Sequence, residues 1–576
     1  MNGPAPCEVY PSLSINVCCG EAEDINTLGY TRPVQSADYK FLTTHSRDFA
    51  MTITTWEQKA QAKQAAAAAK IPAEWRLPEK LLEDLQQQDP AASVLNIPRE
   101  CGLLTQRELD ITETVDATAL LARLASRELT SEEVTIAFCK RAAIAQQLTG
   151  CLTETFFDTA IQRAKEVDDH LATTGNLIGP FHGLPISLKE NLNVSGVPTC
   201  LGYISFLDHP AKTTNSALVD ILLAAGAVLY VKTNIPQTMM TADSHNNVFG
   251  RVLNPHRRSL TAGGSSGGEG ALIALRGSLL GVGTDIGGSI RIPALCCGLA
   301  GFKPTVGRIP TAGQTISGRP GLTGILSVTG PLCHSMRDAE LFIQTVLNSH
   351  PEDVDDVALA VPWQQPPAQP VLTIGLLPED PKYPLHPPMR RTLAAAASKL
   401  QAAGHKLVDL TGKIPPLSES ISIAWRMFQM DPDKTQVKNI LAGGEPPIPS
   451  LQATFNLVAT DAEPTLRELY DLNVERAKFI ADMRRVYLEN GLDVILGPAF
   501  QSCAPPHDAF GLPVYTVLSN LLDVCWLQPI LSVVCFSFFL SFLISLYFSS
   551  FSLAFLPWTI LNYTVPRMYS PLWSSQ

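Results

Sequence analysis

The chain has 576 residues, which at roughly 100–200 residues per domain allows three domains or one large one. Hydrophobic residues make up 45% and charged residues 17%, which excludes wholesale disorder. Acidic residues outnumber basic ones by 54 to 43, a net charge of −11, so a strongly basic nucleic-acid binder is excluded and no nucleic-acid partner is expected. The 13 cysteines are odd in number and form no C-x-x-C pair. Neither a disulfide framework nor a zinc site is indicated, and reduced thiols in a reducing compartment are expected. The first 30 residues lack a basic segment followed by an apolar run, so no secretory signal is read and the cytoplasm is the expected location.

Residues 1–50 show no helical or strand period and read as a poorly ordered extension. Thr55-x-x-Gln58 then forms a capping-box pattern ahead of an Ala-rich run, and Thr130-x-x-Glu133 forms another. Val134, Phe138 and Ala142 follow on one helical face. The apolar run 184–189 ends in Lys189. A helix over 216–226 is closed by Gly226, and a buried strand follows at 227–231. The same phrase recurs later: a strand at 372–377, a helix from 389 closed by Gly404, and HKLVDL. Proline-rich 361–370 reads as a surface connection. This alternation predicts an α/β fold with a mixed, mostly parallel central sheet covered by helices.

The chemistry concentrates in residues 263–294, GGSSGGEGALIALRGSLLGVGTDIGGSIRIPA. Glycine permits close backbone approach, and successive N–H groups in such turns converge on an oxyanion. No lysine follows these glycines as a P-loop requires, and Ile286 stands where a dinucleotide-binding fingerprint needs a third glycine. Gly264-x-Ser266-x-Gly268 matches a nucleophile elbow, but the preceding NPHRRSLTA is polar and contains proline, unlike the strand such an elbow needs.

The full pattern of GGSSGG followed by TDIGGSIRIP, with Ser289 placed 24 residues after Ser265, resembles the amidase signature family. GLPISLKEN at 183–191, TNIPQTM at 233–239 and GFKPTVGRIP at 301–310 extend the resemblance over about 55–523. It is closest to fungal general amidases of the acetamidase type, the branch that includes fatty-acid amide hydrolase. The resemblance implies hydrolysis of monocarboxylic acid amides to an acid and ammonia or an amine, with no cofactor and no metal.

It also implies a Ser–Ser–Lys triad with Ser289 as nucleophile, Ser265 as a bridging serine on a cis peptide, and Lys189 as base. A serine needs a base, and lysine serves only when neutral. Ile286, Gly287, Gly288 and Ser289 match the oxyanion-hole amides, and Met239 matches a position lining the acyl pocket. Ser266, Asp285 and Arg291 are expected to support the loops. His182, His245 and His256 have no partner motif and are expected to be structural or exposed. Two rival functions stay open: a catalytically impaired truncated member, and the glutaminase subunit of an amidotransferase.

The resemblance stops near Asp523, so the amidase domain is placed at 51–523 with its C-terminal part incomplete. Not one charged residue lies between Asp523 and Arg567. Such a run is long enough to span a bilayer. However, 18 of the 22 residues from Cys535 to Leu556 are Phe, Ser or Leu, as pyrimidine-rich codons would give, and Val524 has codons beginning with GU. The tail at 524–576 therefore reads as translated intron, with a membrane segment as the rival. A membrane partner is expected only if 524–566 is genuinely expressed. A small-molecule amide is the expected substrate, and homo-oligomerisation is open.

Overall fold

The computed structural model describes residues 54–365, 369–458 and 463–529. The extension at 1–50, and the tail beyond residue 529, lie outside the described residues.

The first helix, α1 (Trp56–Ala69), starts on the expected capping box: Thr55 accepts from the Gln58 amide, and the Gln58 side chain accepts from the Thr55 amide. It buries little of itself, and Lys63 and Lys70 tether it to buried Glu154 on strand β1 (Leu152–Thr155). Helix α2 (Ser131–Thr149) buries Val134, Phe138 and Ala142 as expected. Its capping box is only half made. Thr130 accepts from the Glu133 amide, but the Glu133 carboxylate turns to Arg107 at 2.7 Å. A charged donor outcompetes a neutral amide there.

Strand β2 (Pro185–Lys189) is followed by α3 (Ala217–Ala224) and β3 (Val228–Thr233). Next come α4 (Gly267–Ala274), β4 (Leu280–Asp285), α5 (Arg291–Cys297), β5 (Ala300–Lys303) and β6 (Val328–Cys333). A second strand–helix–strand phrase follows: β7 (Thr373–Leu376), α6 (Pro387–Ala402) and β8 (Lys406–Asp409), with Gly404 at φ +94° between the last two. Strand β9 (Val494–Leu496), α7 (Val514–Leu522) and β10 (Trp526–Gln528) complete the described fold.

The main sheet runs in the order β1-β3-β2-β4-β6-β5-β10, and β8-β7-β9 form a small parallel sheet. The main sheet is mixed. Parallel pairing is confined to β3-β2-β4, whose connections carry α3 and α4. The outer pairs are antiparallel, because β6 inserts between β4 and β5 and runs against both. Strand β10 adds antiparallel to β5, so the sheet takes a strand from beyond Asp523. One apolar core spans the main sheet and α2–α5, and a second gathers α7 with Met389, Met427 and Phe479. Among the described residues no helix is long and apolar enough to cross a membrane, and the eight cysteines from Cys101 to Cys503 are free thiols.

Three strands that point the same way place Lys189, Thr233 and Asp285 at one edge of the sheet. The carboxyl ends of parallel strands leave a crevice where ligands bind. Helix α4 packs so closely behind that edge that a side chain on Gly268 would meet only main-chain atoms, at 2.3 Å from Asn234 N and 2.5 Å from Cys151 O. Gly268→Ala should therefore destabilise the fold by about 1–3 kcal/mol. The check is the urea midpoint of unfolding; an unmoved midpoint would contradict this packing.

Candidate active site

Strand β2 delivers Lys189 into a fully buried position. Its ammonium nitrogen lies 2.9 Å from Ser265 Oγ, 2.7 Å from Thr284 Oγ1 and 3.2 Å from Thr284 O. No carboxylate touches it among the described residues. Burial drives the lysine down to about 7, against a weaker upward pull from Asp285 and Glu269. The sequence suggested partial burial at the end of an apolar run; the burial is complete.

Ser265 follows a cis peptide from Gly264 and is itself buried. Ser266 is also buried: its hydroxyl turns to Thr284 O at 3.4 Å, and its amide donates to Ser289 O at 3.1 Å. That main-chain bond sets the two serine-bearing turns side by side. Only isolated bridges precede Ser266 at 260–261, so the strand that a nucleophile elbow needs is lacking there.

The turn at 286–289 has a split character. Ile286, Gly287 and Ser289 are half-exposed, while Gly288 is buried. The Gly288 amide donates to Asp285 Oδ1 at 2.8 Å. The buried Gly288 amide serves the aspartate, whereas those of Ile286, Gly287 and Ser289 have no acceptor among the described residues. Gly288 sits at φ +138°, and a side chain there would fall 2.4 Å from Thr516 Oγ1. Only glycine meets both demands.

Asp285 and Arg291 are bonded to this turn and to each other. Both are fully buried and pair bidentately, at 2.8 and 2.9 Å. Asp285 also accepts from the Ile290 amide at 3.1 Å and from Asn520 Nδ2 at 3.1 Å. Burial would raise its carboxyl, but Arg291 and these donors hold it well below the usual carboxylate range. Arg291 donates further to Thr516 O, Ser519 Oγ and Asn520 Oδ1, each at 2.7 Å, and lies over the Trp526 ring. Thr516 in turn donates to Gly287 O at 2.6 Å. Helix α7 thereby grips the turn from a position more than 220 residues away in the chain.

Met239 ends a short turn at 237–239 and is half-buried against the cluster of Leu201, Tyr203 and Ile235. His182 is buried and accepts from the Ile178 amide, and His256 bonds Cys297 O. His245 stands beside Arg251, which burial and that cation turn into a lowered pKa. None of the three histidines joins Lys189, Ser265 or Ser289 by a hydrogen bond. Thr284, Glu269 and the α7 residues were not singled out in the sequence. Thr284 lies inside the motif and was legible as Lys189's partner only through strand pairing. Among the described residues no group of three or more His, Cys, Asp or Glu gathers as a metal site.

The structure thus holds a buried lysine on Ser265, in a turn bonded through Ser266 to the turn that carries Ser289. The family model described as Amidase matches residues 133–535, and the chain belongs to the amidase signature family. An amidase from Gibberella moniliformis is 41% identical over 475 residues, covering 82% of this chain and 89% of that protein. An acetamidase from Emericella nidulans is 38% identical over 485 residues, covering 81% and 85%. Among solved structures, fatty acid amide hydrolase matches with a TM-score of 0.77 at 33% identity, covering 82% of each chain. The protein is an amidase. The family match passes Asp523, in keeping with β10 in the sheet.

Removing Arg291 would strand the Asp285 carboxylate in a dry interior. Arg291→Met should cost about 3–5 kcal/mol of folding stability. Asp285→Asn combined with Arg291→Met should recover part of that loss in the same denaturant titration. A single variant as stable as the wild type would refute the buried pair.

Proposed function

We propose that this amidase hydrolyses small monocarboxylic acid amides through an acyl-Ser289 intermediate. Lys189 is the base, and Ser265 relays the proton. The observation that carries the reading is a fully buried amine 2.9 Å from Ser265, with hydroxyls and a carbonyl but no carboxylate as neighbours. Such an amine is neutral at a pH where a solvated lysine is not.

In the proposed reaction the Ser289 hydroxyl oxygen bonds the amide carbon. Its proton passes to Ser265, whose own proton passes to Lys189. The oxyanion that forms lies against the amides of Ile286, Gly287 and Ser289, where each such donor is worth on the order of 10²–10³ in rate. The C–N bond breaks as the proton returns through Ser265 to the leaving nitrogen, since an unprotonated amine anion leaves poorly. Water then attacks the acyl ester by the same relay, releasing the acid and restoring Ser289. Met239 is assigned to the wall of the acyl pocket. The names of the Gibberella amidase and the Emericella acetamidase support small carboxamides as substrates.

A fluorophosphonate probe should label Ser289, and Ser289→Ala should lose both the label and turnover, by on the order of 10⁴-fold or more. Label on Ser266, or turnover retained by the variant, would overturn the assignment. The pH profile gives a second check. Lys189 must be unprotonated to accept a proton, so kcat/KM should rise with pH through about 7. A profile flat from pH 5 to 9 would remove lysine from the role of base.

A further inference from the structure

One buried carboxyl group near the site has no part in the mechanism so far. Glu269 lies in the first turn of α4, three residues past Ser266, and is fully buried. Its Oε2 accepts from Ser187 Oγ at 2.6 Å, and its Oε1 from Thr233 Oγ1 at 2.9 Å. Ser187 precedes Lys189 by two residues on β2, and so shares its face of the sheet. Thr233 is the residue directly opposite Lys189 on β3. The carboxylate is thus bracketed by the lysine's own neighbours. Room for it is made by Gly281, the β4 partner of Ser187: a side chain there would fall 2.0 Å from Glu269 Oε2.

The charges around this pair are unequal. Asp285, the other carboxylate near Lys189, is already neutralised by bidentate Arg291. Glu269 has no lysine, arginine or histidine within ion-pair distance among the described residues. Cys151 and Tyr230 also sense Glu269, but burial keeps that thiol and phenol protonated. The amide-rich start of α4 favours a negative charge at this position. The charge of Glu269 is therefore left to act on Lys189.

Resting on the reading of Lys189 as base, we propose that Glu269 is a positioning residue that sets the protonation state of Lys189, its carboxylate favouring the ammonium through space from between Ser187 and Thr233. Burial lifts Glu269 to about 7, close to Lys189, so the two groups titrate together across neutral pH. No bond to carbon is made or broken by Glu269.

The test is the pH dependence of Ser289 labelling by a fluorophosphonate and of kcat/KM, in the full chain. Glu269→Gln keeps the shape and removes the charge. Without that charge the ammonium is disfavoured, so the acid limb should move down by about one pH unit. Thr233→Val and Ser187→Ala leave the charge but weaken the carboxylate's hydrogen bonds; each should move the limb the same way by less. These two variants decide the matter if the Gln variant does not fold. A merely structural glutamate would lower the yield of active protein and leave the limb in place, which would overturn the proposal. If the wild type takes no label at any pH, the Ser289 mechanism fails and this inference with it. If the wild type labels with a limb near neutrality and the variants do not shift it, only the role of Glu269 falls.

Discussion

A lysine amine sealed from water at the end of a strand is the constraint on which the rest of this site depends. Moving an ammonium into a protein interior is expensive by several kcal/mol. Folded chains meet that cost by pairing the charge or by releasing the proton. Here the groups touching Lys189 are two hydroxyls and a carbonyl. They can satisfy a neutral amine as well as a charged one, so burial brings its pKa down to about 7. The sheet makes this arrangement possible. Parallel β3-β2-β4 align their carboxyl ends, so Thr284 of β4 meets Lys189 of β2, and the loop ahead of α4 brings Ser265 to the same amine.

The neighbouring turn is governed by the opposite choice. Asp285 and Arg291 are just as deeply buried, yet Asp285 keeps its negative charge because the Arg291 side chain pairs with it. The pair works as a junction. Asp285 fixes the amides of Gly288 and Ile290, while Arg291 fixes three groups of α7. The Gly288 amide is taken by this pair, while the amides of Ile286, Gly287 and Ser289 have no acceptor among the described residues. Trp526 against the guanidinium extends the junction to β10. The last described strand therefore belongs to the support of the site as well as to the sheet.

Much of this was legible in the sequence where the signal is local. The helix–glycine–strand phrase gave α3 with β3 and α6 with β8, because a left-handed closing glycine and the short β-favouring run after it are both local features. The GGSSGG and TDIGGS turns were legible because close backbone approach leaves only glycine. What escaped depends on pairing across strands or on distant chain segments. Glu269 reads as a helix-start acid until Ser187, Thr233 and Gly281 are seen around it. Thr516 and Asn520 lie in an apolar helix with no motif of its own, and their partners are more than 220 residues earlier. The second half of the capping box at Thr130 failed for a related reason: Arg107 comes from outside the local window.

The three serines of the GGSSGG and TDIGGS turns stand in three different environments. All carry the same hydroxyl, with the same weak intrinsic reactivity. Ser266 is buried with its hydroxyl turned to a main-chain carbonyl, which leaves it no access to a substrate. Ser265 is buried too, but its partner is the Lys189 amine, in keeping with the relay proposed for it. Ser289 alone of the three is half-exposed, and its hydroxyl has no protein partner among the described residues. Its own amide and those of Ile286 and Gly287 are free beside it. A nucleophile must reach solvent-borne substrate while its base stays dry. In the proposed mechanism those demands fall on two residues, Lys189 fully buried and Ser289 partly open to solvent, so the lysine can lose its proton without the attacking oxygen being buried.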